Sequence, residues 1–262
     1  MRDYCNFVRP DTPFGSVTDP WKKSRQWLTG VSTLWAEAGG DEPPVLMGAA
    51  LVVLPIHRTR ACTVSAPLTQ FGYRAMAADT VGENEVIVKV LDDALVQARR
   101  QAQVIAWHNG TDDLHVLQQL PRPATAPRTP GIAALAQAWR DRRTPERGTA
   151  RNVDTGLDIG PTGFISDTAA AHGLEPRKEF AGDNQQTGAQ LACEALLDGE
   201  DYPAPLTATS VLTSAVMTAL VGGKGSGHLL WQQPLSVTDY VGAVAWDVAP
   251  FLFSGVAPPL NE

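Results

Sequence analysis

Twelve consecutive residues without a charge, Val45 to Ile56 (VLMGAALVVLPI), constrain this chain more than any other feature. The run is rich in Val and Leu, carries no period-2 alternation and follows Pro44, which is the pattern of a strand buried on both faces. It falls short of the roughly 20 residues that a membrane span requires. The start, MRDYCNFVRPD, has no apolar signal core. A central strand covered on two sides needs helices for its cover, and helical spacing follows it. Ile87, Val90, Leu91, Ala94, Leu95 and Ala98 share one face, with Glu83 and Glu85 before them and Arg99 and Arg100 after them.

The remaining elements extend this alternation. Arg60–Ala66 and Thr69–Ala77 are β-prone and separated by Ser-Ala-Pro, as antiparallel neighbours of the central strand. VIAWH (Val104–His108) is a short strand, Asn109-Gly110 a turn, and DDLHVLQQL from Asp112 a helix. A helix over Ile132–Arg143, a strand over Arg151–Leu157, and helices near Phe164–His172, Thr187–Leu197 and Leu206–Val221 complete the series. The expected class is α/β, a mixed sheet of three antiparallel strands then alternating helices and strands, covered by helices. Residues 1–44 read as an N-terminal extension with one helix over Trp21–Ala38, because Trp27, Leu28, Val31 and Leu34 have helical spacing. Residues 45–230 read as the core and 231–262 as an apolar C-terminal extension.

Composition narrows the function classes. The formal net charge is -7, so the chain does not coat nucleic acid by bulk electrostatics, although a local basic groove is compatible with it. Seven arginines between Pro121 and Arg151 face only Asp141 and Glu146, and five of them, Arg140, Arg142, Arg143, Arg147 and Arg151, are candidate phosphate contacts. Three cysteines form no disulfide framework and suit a reducing, cytoplasmic setting. There is no P-loop, dinucleotide fingerprint, Gly-x-Ser-x-Gly elbow or Cys-x-x-Cys. The glycines of VGGKGSGHLLW follow a helix and read as its C-cap and loop.

The segment with the most chemistry is VIAWHNGTDDLHVL. It sets His108, Asn109 and Asp113 at the carboxyl end of a strand, where α/β sheets place their sites. Thr111 as a helix cap and Asp113 as an offset to the helix dipole is the plainer reading. Asp154 lies on a second such strand. Asp79, Glu83, Glu194 and Asp198 are further acids whose ordinary reading is a solvated or capping role.

The string HNGTDDLHVL, with Asn109 and Asp113 four apart, resembles the second motif of the DEDD superfamily of 3'-5' exonucleases, His-Asn-x-x-Phe-Asp followed by leucines. NVDTGLDIGPTGFISDTAAAHGLEP is similar to that family's Asp-Thr strand with its following helix and Gly-Leu turn. The resemblance spans roughly Val45 to Gly223 and implies a ribonuclease H-like fold, hydrolase ancestry, and Mg or Mn held partly by Asp113. Two departures accompany it. Aligned on the apolar run, Leu54 and Ile56 replace the Asp-x-Glu of the first strand, and Leu206 and Ser210 replace the last Tyr/His-x-x-x-Asp.

The expected function is therefore a catalytically degenerate, exonuclease-like protein that binds a nucleic acid end or nucleotide. Asn109, Asp113, His108, Asp154 and the arginines would form its site. Three alternatives stand beside it: an active exonuclease with displaced ligands, a scaffold that forms a homo-oligomer through Val241–Phe253, and a small-molecule enzyme using His57, His108 and Asp113.

Overall fold

A computed structural model describes residues 1–7, 25–37, 43–65, 71–120, 128–141, 150–160, 163–200, 204–245 and 247–248. In chain order these form β1 (Arg2–Cys5), β2 (Arg25–Ala36), β3 (Val45–His57), β4 (Cys62–Thr63), β5 (Gly72–Ala77), α1 (Asn84–Gln101), β6 (Ala102–Trp107), α2 (Gly110–Gln119) and α3 (Pro130–Arg140). They continue with β7 (Arg151–Asp154), a π turn over Thr155–Ile159, α4 (Ile165–Ala171), β8 (Leu174–Glu175), α5 (Gly182–Asp198), α6 (Ala204–Gly225), β9 (Leu229–Leu230), β10 (Leu235–Ser236) and α7 (Val237–Ala245).

The main sheet has six strands in the order β1-β5-β3-β2-β6-β7. β2, β3 and β5 are antiparallel neighbours, whereas β6 runs parallel to β2 and β7 parallel to β6. The fold is thus α/β with a mixed sheet covered by helices. α1, α2 and α3 pack on one face through Ile87, Leu91, Leu95, Leu114, Leu117, Leu135 and Trp139. α6 fills the other face with Ala208, Val211, Ala215, Val216, Ala219 and Leu220. α6 is long and apolar enough to cross a membrane, yet 89% of its apolar window is buried inside the fold, as befits a central core helix.

The segment expected as a helix over Trp21–Ala38 contains the strand β2, the sheet's inner partner of both β3 and β6. The sequence RQWLTGVSTLWA also alternates with period two, placing Val31 in the core on the α1 side and Leu28 and Leu34 in the core on the α6 side. Threonine, valine and tryptophan favour a pleated surface, and long-range pairing with β3 selects the strand. The piece over Arg60–Ala66 contributes only the two-residue β4, which pairs with β9 outside the main sheet, and residues 66–70 lie outside the described residues.

Close approach of β2 to α6 is made possible by Gly30. A Cβ there would lie 2.4 Å from the Ala215 carbonyl oxygen and 2.6 Å from the Ala219 Cβ. At the C-terminal end, Val237, Tyr240, Val241, Ala245 and Val248 are buried in the same core, and the Tyr73 hydroxyl donates to Asp247 at 3.0 Å. The described part of the segment expected to mediate self-association therefore turns its buried side chains into its own fold. Pro250–Phe253 lie outside the described residues.

Candidate functional site

The carboxyl ends of β6 and β7 lie side by side, with Trp107 in register with Asp154. The chain leaves β6 through His108 and Asn109, and Asn109 is the one described non-glycine residue in the left-handed region (φ 55°, ψ 36°). Asparagine tolerates this conformation better than most residues. The bend aims α2 back along the sheet, and a Cβ at Gly110 would lie 2.8 Å from the Trp139 ring, so α2 and α3 meet closely there.

Asp113 is turned toward β2. One carboxylate oxygen (Oδ2) accepts from the Thr33 hydroxyl at 2.6 Å and the Trp107 indole N–H at 2.7 Å. The other accepts from the Trp35 indole N–H at 3.0 Å. Burial pushes the Asp113 pKa up to about 6, against the opposing effect of these three donors. Asp113 is therefore an acceptor tying α2 to β2 and β6, and it does not serve chiefly to offset the helix dipole. No side-chain cap is formed at Asn109, and Thr111 instead lines the cleft described below.

Asp154 repeats this arrangement one strand over. Its Oδ1 accepts from the backbone N–H groups of Asn109, Gly156 and Leu157 at 3.2, 3.1 and 3.3 Å, and its Oδ2 accepts from the Trp139 indole at 3.2 Å. Trp107 and Trp139 meet edge-to-face, with centroids 6.4 Å apart. Two tryptophans in contact thus each hold one acid. His108 is fixed as well: its Nε2–H donates to the Gly163 carbonyl at 2.7 Å, which leaves Nδ1 to accept from the Thr155 hydroxyl at 3.0 Å. Burial lowers its pKa, consistent with a neutral ring.

Beside these groups opens a cleft of about 510 Å³, lined by Asn109, Thr111, Asp112, Trp139, Arg140, Asp154, Leu157 and Gly163. Of the residues singled out from the sequence, Asn109, Asp154 and Arg140 line this cleft, His108 braces its wall, and Asp113 is not in its lining, its carboxylate being turned from α2 toward β2. Arg151 starts β7, three residues upstream of Asp154, or about 10 Å along the strand. It is not in the cleft lining, and its charge acts on His228, whose pKa is lowered by burial first and by Arg151 in addition. Arg142, Arg143 and Arg147 lie outside the described residues. Asp79 and Glu83 sit at the start of α1, where Arg2 pairs with Asp79 at 3.1 Å and Glu83 accepts from the backbone N–H of Asp79 and Thr80. Glu194 accepts from Gln190 on the surface of α5.

Leu54 and Ile56, which the resemblance aligns with the first-strand acids, lie on β3. They pair with Leu28 and Gln26, at the opposite end of β2 from Asp113. The side chains of the β2–β3 pair that reach Asp113 are Thr33 and Trp35. Period-2 alternation in RQWLTGVSTLWA was the sequence signal for them, but only the sheet order places them next to Asp113. Leu206 and Ser210 lie on α6 beside α5, where the Gln185 amide donates to Ser210 Oγ at 3.0 Å. No family model and no curated protein matches this chain.

Proposed function

We propose that the chain is a ribonuclease H-like protein of the DEDD exonuclease type that binds a nucleic acid end or nucleotide without hydrolysing it. The sheet order supports this reading. Three antiparallel strands, β5-β3-β2, then β6 and β7 added in parallel beyond β2, match the strand order of a ribonuclease H-like sheet, to which β1 adds a further antiparallel strand at the β5 edge. The observation that carries the reading is the Asp113 cluster. At the strand ends where such a fold gathers acids, Thr33 and Trp35 point hydrogen-bond donors at Asp113.

These residues do not fit a Mg or Mn pair. Hard cations require several oxygen ligands, whereas Asp113 Oδ2 already accepts two hydrogen bonds and Asp154 Oδ1 three, which leaves one less-occupied oxygen on each acid and too few for two ions. Among the described residues no three His, Cys, Asp or Glu side chains converge as a metal site. His108, held at both ring nitrogens, is not poised as a free base.

What the cleft offers is contact chemistry. The exposed Arg140 guanidinium supplies a phosphate partner, Leu157, 52% exposed, supplies an apolar wall for a base, and Asn109 and Asp112 supply polar groups for sugar or base edges. The three free thiols suit a cytoplasmic setting. Anisotropy of a labelled single-stranded oligonucleotide tests this. Binding should weaken linearly in a log–log salt plot, and Arg140→Ala should reduce the slope by about one. An absence of binding to DNA and RNA at low salt would remove the nucleic acid partner.

A further inference from the structure

A second cavity, of about 370 Å³, lies between α5 and α6 on the sheet face opposite α1. Its floor is Leu34, Phe180, Ala189 and Ala192, all nine-tenths or more buried. This volume is in the range of small-molecule sites, roughly 300–1,000 Å³. The wall is almost entirely apolar, and several polar side chains around it are engaged within the protein. Gln185 donates to Ser210 Oγ and to Ser214 Oγ at 2.7 Å, Asn184 donates to the Lys178 carbonyl at 3.0 Å, and Glu179 accepts from Arg177 at 3.1 Å. The cavity therefore presents contact area that is almost wholly apolar, and the Glu179 carboxylate in its lining disfavours an anion.

Gly188 adds a second observation. It lies inside α5, where glycine is less favourable than alanine. Packing does not account for it, since no atom lies within 4 Å of where its Cβ would be, unlike Gly30, Gly48, Gly222 and Gly223, each with an atom nearer than 3 Å. It lines the cavity, and its missing side chain leaves that volume open. Leu191, 61% exposed, adds an uncovered apolar side chain to the lining.

We infer that the α5–α6 cavity is a binding site for the apolar body of an uncharged small molecule, separate from the Asn109–Arg140 cleft and independent of its function. The probe is N-phenyl-1-naphthylamine, a neutral aromatic whose emission rises in apolar surroundings. Wild type should bind it saturably at one site, and Gly188→Phe should weaken binding by about tenfold or more while unfolding stays cooperative. Ala195→Phe, on the same lining, should do likewise, and Arg140→Ala should leave binding unchanged. The proposal is overturned if wild type shows no saturable signal, or if both phenylalanine variants bind as wild type does. It is also overturned if these variants convert a dimer to a monomer, which would make a second copy of the chain the occupant.

Discussion

Gly30→Ala is expected to destabilise the fold by about 3 kcal/mol or more, a large share of the 5–15 kcal/mol typical of a domain. The added methyl group would meet the Ala215 carbonyl oxygen at 2.4 Å and the Ala219 backbone nitrogen at 2.7 Å, so no rotamer change relieves the contact. β2 is an inner strand and α6 is packed on it along most of its length, hence neither can retreat without opening the core. The same substitution at Gly188 should raise stability by about 0.5–1 kcal/mol, because the site is helical and open. Thermal or denaturant unfolding of the two variants reads both signs. Equal effects would contradict the packing account.

Asp113→Ala should cost about 2–4 kcal/mol. It leaves the Thr33 hydroxyl and the Trp107 indole without their acceptor, each worth roughly 1–3 kcal/mol when buried, and release of a desolvated carboxylate offsets part of the loss. An acid that merely offset the helix dipole would cost about 0.3–1 kcal/mol. The pH dependence carries its own sign. With the folded pKa raised to about 6 from an ordinary 3.8, the Asp113 contribution is fully present below that ordinary value and is lost as pH rises through 6. Relative to Asp113→Asn, wild type should lose about 2 kcal/mol between pH 4 and pH 7, at roughly 1.4 kcal/mol per pKa unit. A gap that stays flat or widens in favour of wild type over that window would contradict the burial of this carboxylate.

Much of the helical framework was legible because it is written locally. Ile87–Ala98 and Val211–Leu220 carry their periodicity in a single window, and the unbroken run from Val45 announces a strand covered on both faces. β2 was not legible in the same way. Trp27, Leu28, Val31 and Leu34 satisfy helical spacing as well as strand alternation, and the choice is made by pairing with Val45–His57 and Ala102–Trp107. That one misreading moved the first strand by a whole element. It left Thr33 and Trp35, the β2 side chains that reach Asp113, unread as site residues. Asn109, Asp154 and Arg140 could be named because strand ends and arginines are visible in the sequence. The indole partners of the two acids could not, since Trp35 and Asp113 are 78 residues apart and Trp139 and Asp154 are joined only by tertiary packing.

The proposed binding without hydrolysis follows from a site in which the groups facing Asp113 are hydrogen-bond donors, those of Thr33, Trp35 and Trp107. End-labelled single-stranded DNA and RNA, incubated with the purified chain and Mg²⁺ or Mn²⁺, test it most directly. The expected result is label of unchanged length, retained by the protein at low salt. Progressive shortening that needs the divalent ion and disappears in Asp113→Ala would contradict it.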